Sequence, residues 1–246
     1  MITRILLVAI AAGVIAGAFV TAAQSFKVIP LIYQAETYEN KTPAGAPAVD
    51  QTINQPPAHA HDGTESKNHP HKQSAEWAPQ QGFERVAYTL LANVLNGVGF
   101  GFLMTAAIVF AGFGISWTTG ILWGIGGFLA FSFFPAIGLP PEMPGMVGAD
   151  IVERQVWWAA TVACTLIGLG LLAFGKNLPL KVLGVVIIAI PQVVGAPHIN
   201  LAEVSSSVPA ELAAQYVVAT LLTTGLFWLV LGASVGGLLH RYGKPA

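Results

Sequence analysis

The chain has 246 residues, of which 54% are hydrophobic and 9% charged, with a formal net charge of -1 and a mean hydropathy of +0.65. A soluble domain carries roughly 25% charged residues, so too few are present to cover a water-facing surface, and most of the surface must meet lipid. No run of Lys and Arg supplies a nucleic-acid footprint, which excludes nucleic acid as a partner, and the single cysteine, Cys164, excludes an internal disulfide or a cysteine-based metal cage.

Arg4 is followed by the apolar run Ile5 to Ala23. Residues 1–24 read as a first membrane helix or, alternatively, as a signal peptide for which Thr21-Ala22-Ala23 is a loose cleavage site. The run is longer than an ordinary signal core, and its small-xxx-small pair Gly13 and Gly17 suits helix packing, so the retained helix is the favoured reading.

Residues 25–84 form a polar segment with Pro-rich and Ala-rich stretches and no helical periodicity, expected to be a largely disordered loop outside the membrane. It contains His59-Ala60-His61 and His69-Pro70-His71, four of the six histidines. Residues i and i+2 of an extended chain point to the same side, and imidazole suits cobalt, nickel, zinc and copper, so each pair offers two ligands for an exchangeable ion. The plainer reading is a solvated loop with incidental histidines.

Residues 85–246 read as a bundle of five further helices. No Asp, Glu, Lys, Arg or His occurs between Val86 and Pro141, enough for two crossings of about 20 residues each, near Val86 to Phe110 and Trp117 to Phe134. Further uncharged stretches run from Gln155 to Gly175, from Val182 to Pro197, which is short, and from Leu212 to Leu239. Bare peptide groups cannot be left unpaired in lipid and the runs lack a barrel's alternation, so the fold class is all-α: a polytopic membrane bundle of about six helices.

With six spans both termini share a side. Arg4, Lys176, Lys181, Arg241 and Lys244 fall there, while the opposite short connections carry Glu142, Asp150, Glu153, Glu203 and Glu211 against Arg154 alone. The positive-inside rule then places both termini in the cytoplasm.

Gly138-Leu139-Pro140-Pro141-Glu142-Met143-Pro144-Gly145 follows the third span, where Pro135 and the paired prolines are expected to end the helix. Irregular backbone at that depth belongs beside a cavity, which would put Glu142 and Met143 at a pore mouth; the alternative is an ordinary exit loop. Asp150 and Glu153 have capping-box spacing. Arg154, a cation in a first helical turn, opposes the helix dipole and calls for a partner, with Glu142 the candidate and Glu153 or a lipid phosphate the alternatives. Trp157 and Trp158 fit an interfacial aromatic belt. His198, at the exit of the fifth span, is a solvated residue or a further ligand.

Gly97 with Gly101, Gly120 with Gly124, and Gly232 with Gly236 have the spacing of close helix contacts. Gly232-Ala233-Ser234-Val235-Gly236 also matches GxSxG, but inside an apolar span it lacks the strand, sharp turn and helix that expose a nucleophile. An enzyme is therefore not expected. ATP-binding and HExxH signatures are missing as well.

Gly-Leu-Pro-Pro-Glu-Met-Pro-Gly at 138–145, Arg154-Gln155-Val156-Trp157-Trp158, Gly195-Ala196-Pro197, and Val208-Pro209-Ala210-Glu211-Leu212 ahead of Phe227-Trp228 together resemble the CbtA family of proposed cobalt transporter subunits. The resemblance implies a bacterial inner-membrane protein that takes up cobalt, with a small one-helix partner of the CbtB type. The transported ion, cobalt or else nickel or zinc, would be cargo and not a permanently bound cofactor. In this reading His59, His61, His69 and His71 raise the local ion concentration, and Glu142, aided by Met143 and His198, receives the ion. Arg154, Gln155, Trp157 and Trp158 line or brace the path. The rival is a non-transporting scaffold subunit. The sequence leaves the oligomeric state open.

Overall fold

The computed structural model describes residues 2–39, 79–80, 82–112, 114–144, 146, 148–198 and 208–242. His59, His61, His69 and His71 lie outside the described residues, as do Glu203 and Lys244. Seven α-helices and one π-helical turn, with no strand among the described residues, make up the fold: α1 Ile2–Glu39, α2 Phe83–Ala111, α3 Trp117–Phe128, the π-turn Leu129–Phe133, α4 Phe134–Gly138, α5 Ile151–Phe174, α6 Leu178–Val194 and α7 Ala210–Tyr242.

Five stretches are long and apolar enough to cross a membrane: α1, α2, the continuous α3 to α4 rod, α5 and α7. α6 has 17 residues, about 25 Å at ~1.5 Å per residue, at the short limit for a hydrocarbon core of about 30 Å.

Two helix boundaries differ from expectation. α1 does not stop near residue 24 but continues through Pro30 to Glu39. Its second half is held by packing: Val28 and Ala35 are buried, and Glu36 Oε1 accepts from Arg85 Nη2 at 2.6 Å. The third span likewise does not stop at Pro135 but passes it and ends only before Pro140. The π-turn makes this possible. Phe134 N–H reaches back five residues to the Leu129 carbonyl, widening the helix just before Pro135, which has no N–H to give and sits where a first-turn proline is tolerated.

Glycines set the crossings. On the α1/α2 contact a Cβ at Gly13 would meet the backbone of Gly97 and Val98, one at Gly17 the backbone of Asn93 and Val94, and one at Gly101 the carbonyl of Ala9. On the α3/α7 contact Gly120 and Gly124 face Gly232 and Gly236 backbone to backbone. With lipid outside, no hydrophobic force drives helices together, so close van der Waals packing of this kind has to do it. α7 also packs along α1, and Val8, Ala12, Ala16, Val20, Met104, Ile108, Leu231 and Val235 fill the space between α1, α2 and α7.

α5 and α6 form a separate antiparallel pair, closest where Gly168 and Gly184 face each other across 2.7 Å from an added Cβ to the opposing carbonyl. This pair joins the rest mainly through α4 and the π-turn, with Gln192 Nε2 donating to the Phe134 carbonyl at 3.0 Å.

The two ends of the bundle differ in chemistry. One end has the Glu36–Arg85 and Glu142–Arg154 pairs and Asp150. At the other, His240 Nδ1 lies 2.8 Å from the Ile115 carbonyl, and Arg4, Lys176 and Arg241 are at the helix ends of that side. We call these the acidic and the basic end.

Candidate functional site

A cleft of about 520 Å³ opens at the acidic end between α4, the start of α5 and the first half of α7. Its walls are built by three local features. Pro140 and Pro141 terminate α4 and turn the chain so that Glu142 hangs at the rim. Asp150 then starts α5 as its N-cap, Oδ1 accepting from the N–H of Val152 at 2.9 Å and of Glu153 at 3.1 Å, which aims Arg154, Gln155 and Trp158 along the cleft. The π-turn contributes Phe131 and Ser132, and α7 contributes Thr220, Leu221 and Thr224.

The rim is held by a charge pair. Arg154 Nη2 donates to Glu142 Oε2 at 2.9 Å, with about 30% of each side chain exposed. Gly148 lies directly over this pair, since a Cβ there would meet both Arg154 Nη1 and Glu142 Oε2. Arg154 thereby offsets its unfavourable place in the first turn of α5.

The cleft penetrates the span. Thr220 is ten residues past Ala210, about 15 Å along α7 at ~1.5 Å per residue. Its hydroxyl oxygen is enclosed and has no hydrogen-bond partner among the described residues. The Ser132 hydroxyl accepts from Trp228 Nε1 at 3.2 Å. Below these groups the Phe131 ring stacks on Trp228, centroids 5.6 Å apart and planes 16° apart, and Phe100 closes against both. Beneath that aromatic layer α3 and α7 meet at their glycines. Between these two helices the structure is open toward the acidic end and closed toward the basic end.

The sequence-predicted residues divide. Glu142, Arg154, Gln155 and Trp158 all line the cleft, and of the partners open to Arg154 it takes Glu142. Met143 does not line it: only 3% exposed, it packs with Ala35, Val208 and Leu212, and its N–H points at Met146 Sδ at 3.5 Å. His198 is exposed in the turn after α6 and is not a cleft residue. Among the described residues no three His, Cys, Asp or Glu side chains come together to hold a metal ion.

The two tryptophans differ: Trp157 faces protein, while Trp158 stays 39% exposed at the acidic end. Trp157 is 8% exposed, wedged between Gly138 and Ala196 with its indole N–H unpaired, and Trp158 turns to the cleft with its ring 6.3 Å from Phe131. Adjacent positions on a helix point about 100° apart, so Trp157 turns into the protein while Trp158 keeps an exposed edge beside the cleft. Glu153 makes no return bond to the Asp150 backbone, so only half of the expected capping box forms. Ser234 lies within α7 between two crossing glycines and has no nucleophile elbow.

Ser132, Thr220, Thr224 and Phe131 were not singled out by sequence. The available signal was weak: a serine in a phenylalanine run just before Pro135, and a threonine cluster in an apolar helix.

A family model described as "Probable cobalt transporter subunit (CbtA)" matches residues 2–240, nearly the whole chain. The chain belongs to the CbtA family. CbtA membership implies a cobalt transporter subunit, hence a partner, and the apolar helices make it a multi-pass membrane protein. Comparisons with curated proteins and with solved structures find no match.

Proposed function

We propose that this CbtA-family chain is the membrane subunit of an uptake system for a divalent transition metal, with cobalt as the cargo, and that the ion enters through the cleft at the acidic end. The observation that carries the reading is the Glu142–Arg154 pair at the rim of a mostly apolar cleft that places Ser132, Gln155, Thr220 and Thr224 along its walls and is closed beneath. The basic end faces the cytoplasm of a bacterial inner membrane, since short Lys- and Arg-bearing connections stay inside. The acidic end then faces the incoming ion.

In this mechanism the exterior segment with His59, His61, His69 and His71 collects ions weakly, and Glu142 is the carboxylate at the rim of the cleft. A divalent ion competes with Arg154 for the Glu142 oxygens, so binding releases the rim from α5. Ser132, Gln155, Thr220 and Thr224 then offer oxygens to an ion that keeps some of its water. Met143 braces the rim through its packing with Ala35, Val208 and Leu212, and His198, outside the cleft, is an auxiliary ligand. A small one-helix CbtB-like subunit completes the system. Selectivity for cobalt does not arise from these oxygens, because copper and nickel bind such groups more tightly.

A second reading is favoured by one feature: the sole carboxylate lining the cleft is already held by an arginine. In that case the chain scaffolds a partner that carries the ion. Cobalt accumulation separates the two, measured in cells with the wild-type chain, with Glu142→Gln, and with all four loop histidines replaced by serine. The transport reading expects lower accumulation in both variants at equal protein level. Unchanged accumulation in both would remove the ligand roles.

A further inference from the structure

α2 carries two asparagines three residues apart, and the structure treats them differently. Asn93 turns inward, its Nδ2 donating to Thr21 Oγ1 at 3.0 Å and to Gln24 Oε1 at 2.8 Å on α1. Asn96 is exposed and makes no hydrogen bond among the described residues. It is the fourteenth of 29 residues in α2, so it lies at the middle of the span, too deep to reach water at either face. α2 packs chiefly on α1 and barely touches α3 and α7, so no described helix packs against the face with Asn96. A carboxamide in hydrocarbon with no partner costs about 2 kcal/mol or more.

We propose that Asn96 is the centre of a homodimer contact in which α2 packs against α2 of a second copy of this chain. The chemistry of the amide fits that occupant. A carboxamide is both donor and acceptor, so two Asn96 side chains related by a two-fold axis satisfy each other, and a self-complementary patch is what such an axis requires. The surroundings permit the approach. Gly99 has open space where a Cβ would be, Ala92 is exposed one turn before Asn96, and Leu103 is 59% exposed one turn beyond Gly99. Two helices can therefore close on Ala92 and Gly99 while the amides pair between them and the leucines pack alongside. This contact lies on α2, away from the cleft, and is independent of what the cleft transports.

The test is single-molecule photobleaching of the full-length chain, fused to one fluorescent protein and expressed at low density in membranes. Wild type is expected to bleach mostly in two steps. Asn96→Leu, which is more apolar and leaves the α1 contact intact, should weaken dimerisation roughly five- to thirty-fold, the scale of one interhelical amide bond. Asn96→Gln should keep most of the dimer. In parallel, Leu103→Cys with Cys164→Ser should give an oxidative crosslink of twice the chain mass. One-step bleaching of wild type, equal dimer fractions for wild type and Asn96→Leu, or a Leu103→Cys crosslink to a different polypeptide would each overturn the proposal.

Discussion

Arg154 Nη2 lies 2.9 Å from Glu142 Oε2, an ion pair that ties the first turn of α5 to the proline-terminated exit of α4. Because α5 and α6 meet the rest of the bundle mainly through α4 and the π-turn, this pair is one of few polar links between two packed units. Removing one member leaves a half-enclosed charge without its partner. Arg154→Ala should lower stability by about 1–3 kcal/mol. Combining it with Glu142→Gln should cost less than the sum, with a coupling of at least about 0.5 kcal/mol in a thermal-unfolding cycle in lipid nanodiscs. Strict additivity would show that the pair is not energetically linked.

The α3/α7 crossing has no room for a side chain. Gly120→Val should cost about 3 kcal/mol or more through backbone clash with Gly232 and Gly236, and reduce the folded fraction seen by gel filtration. Gly126, on the same helix, has nothing within 4 Å of an added Cβ. Gly126→Ala should therefore be neutral or stabilising by about 0.5–1 kcal/mol. Equal effects at the two positions would contradict the packing described here.

Asn93 offers a different check. Asn93→Leu removes both bonds to α1 and should destabilise the α1/α2 contact by about 0.6–2 kcal/mol, read as faster hydrogen exchange in α1. Thr21→Val alone should lose only part of that, since Gln24 still accepts.

Ser234→Ala should leave cobalt accumulation and protein level unchanged, because Ser234 belongs to a helix crossing and not to a reactive elbow. Loss of function at normal protein level would reopen a hydrolytic role.

Much of this architecture is legible in sequence because lipid is a strict solvent. Uncharged runs mark spans, and each glycine pair with four-residue spacing proved to be a crossing. Arg154 pointed to Glu142 because a cation in a first helical turn needs a counter-charge. Less was legible where the cause was tertiary. The polar residues after Ala23 suggested a loop, yet packing carries α1 to Glu39. Pro135 suggested a stop, yet a single widened turn absorbs it. Trp157 and Met143 look like surface chemistry in sequence and are buried by neighbours far along the chain. Asn93 and Asn96 are the same residue type in the same uncharged run, and only the position of α1 tells them apart.

Chemical blockade of the cleft shows directly whether the ion passes through it. Gln155 lines it, so Gln155→Cys with Cys164→Ser places one thiol there. Cells with this variant would be treated from outside with a bulky, membrane-impermeant thiol reagent, and cobalt accumulation measured before and after. If the ion passes through the cleft, the thiol is labelled from outside, excess cobalt slows the labelling, and labelling abolishes accumulation. Complete labelling with accumulation unchanged would contradict it.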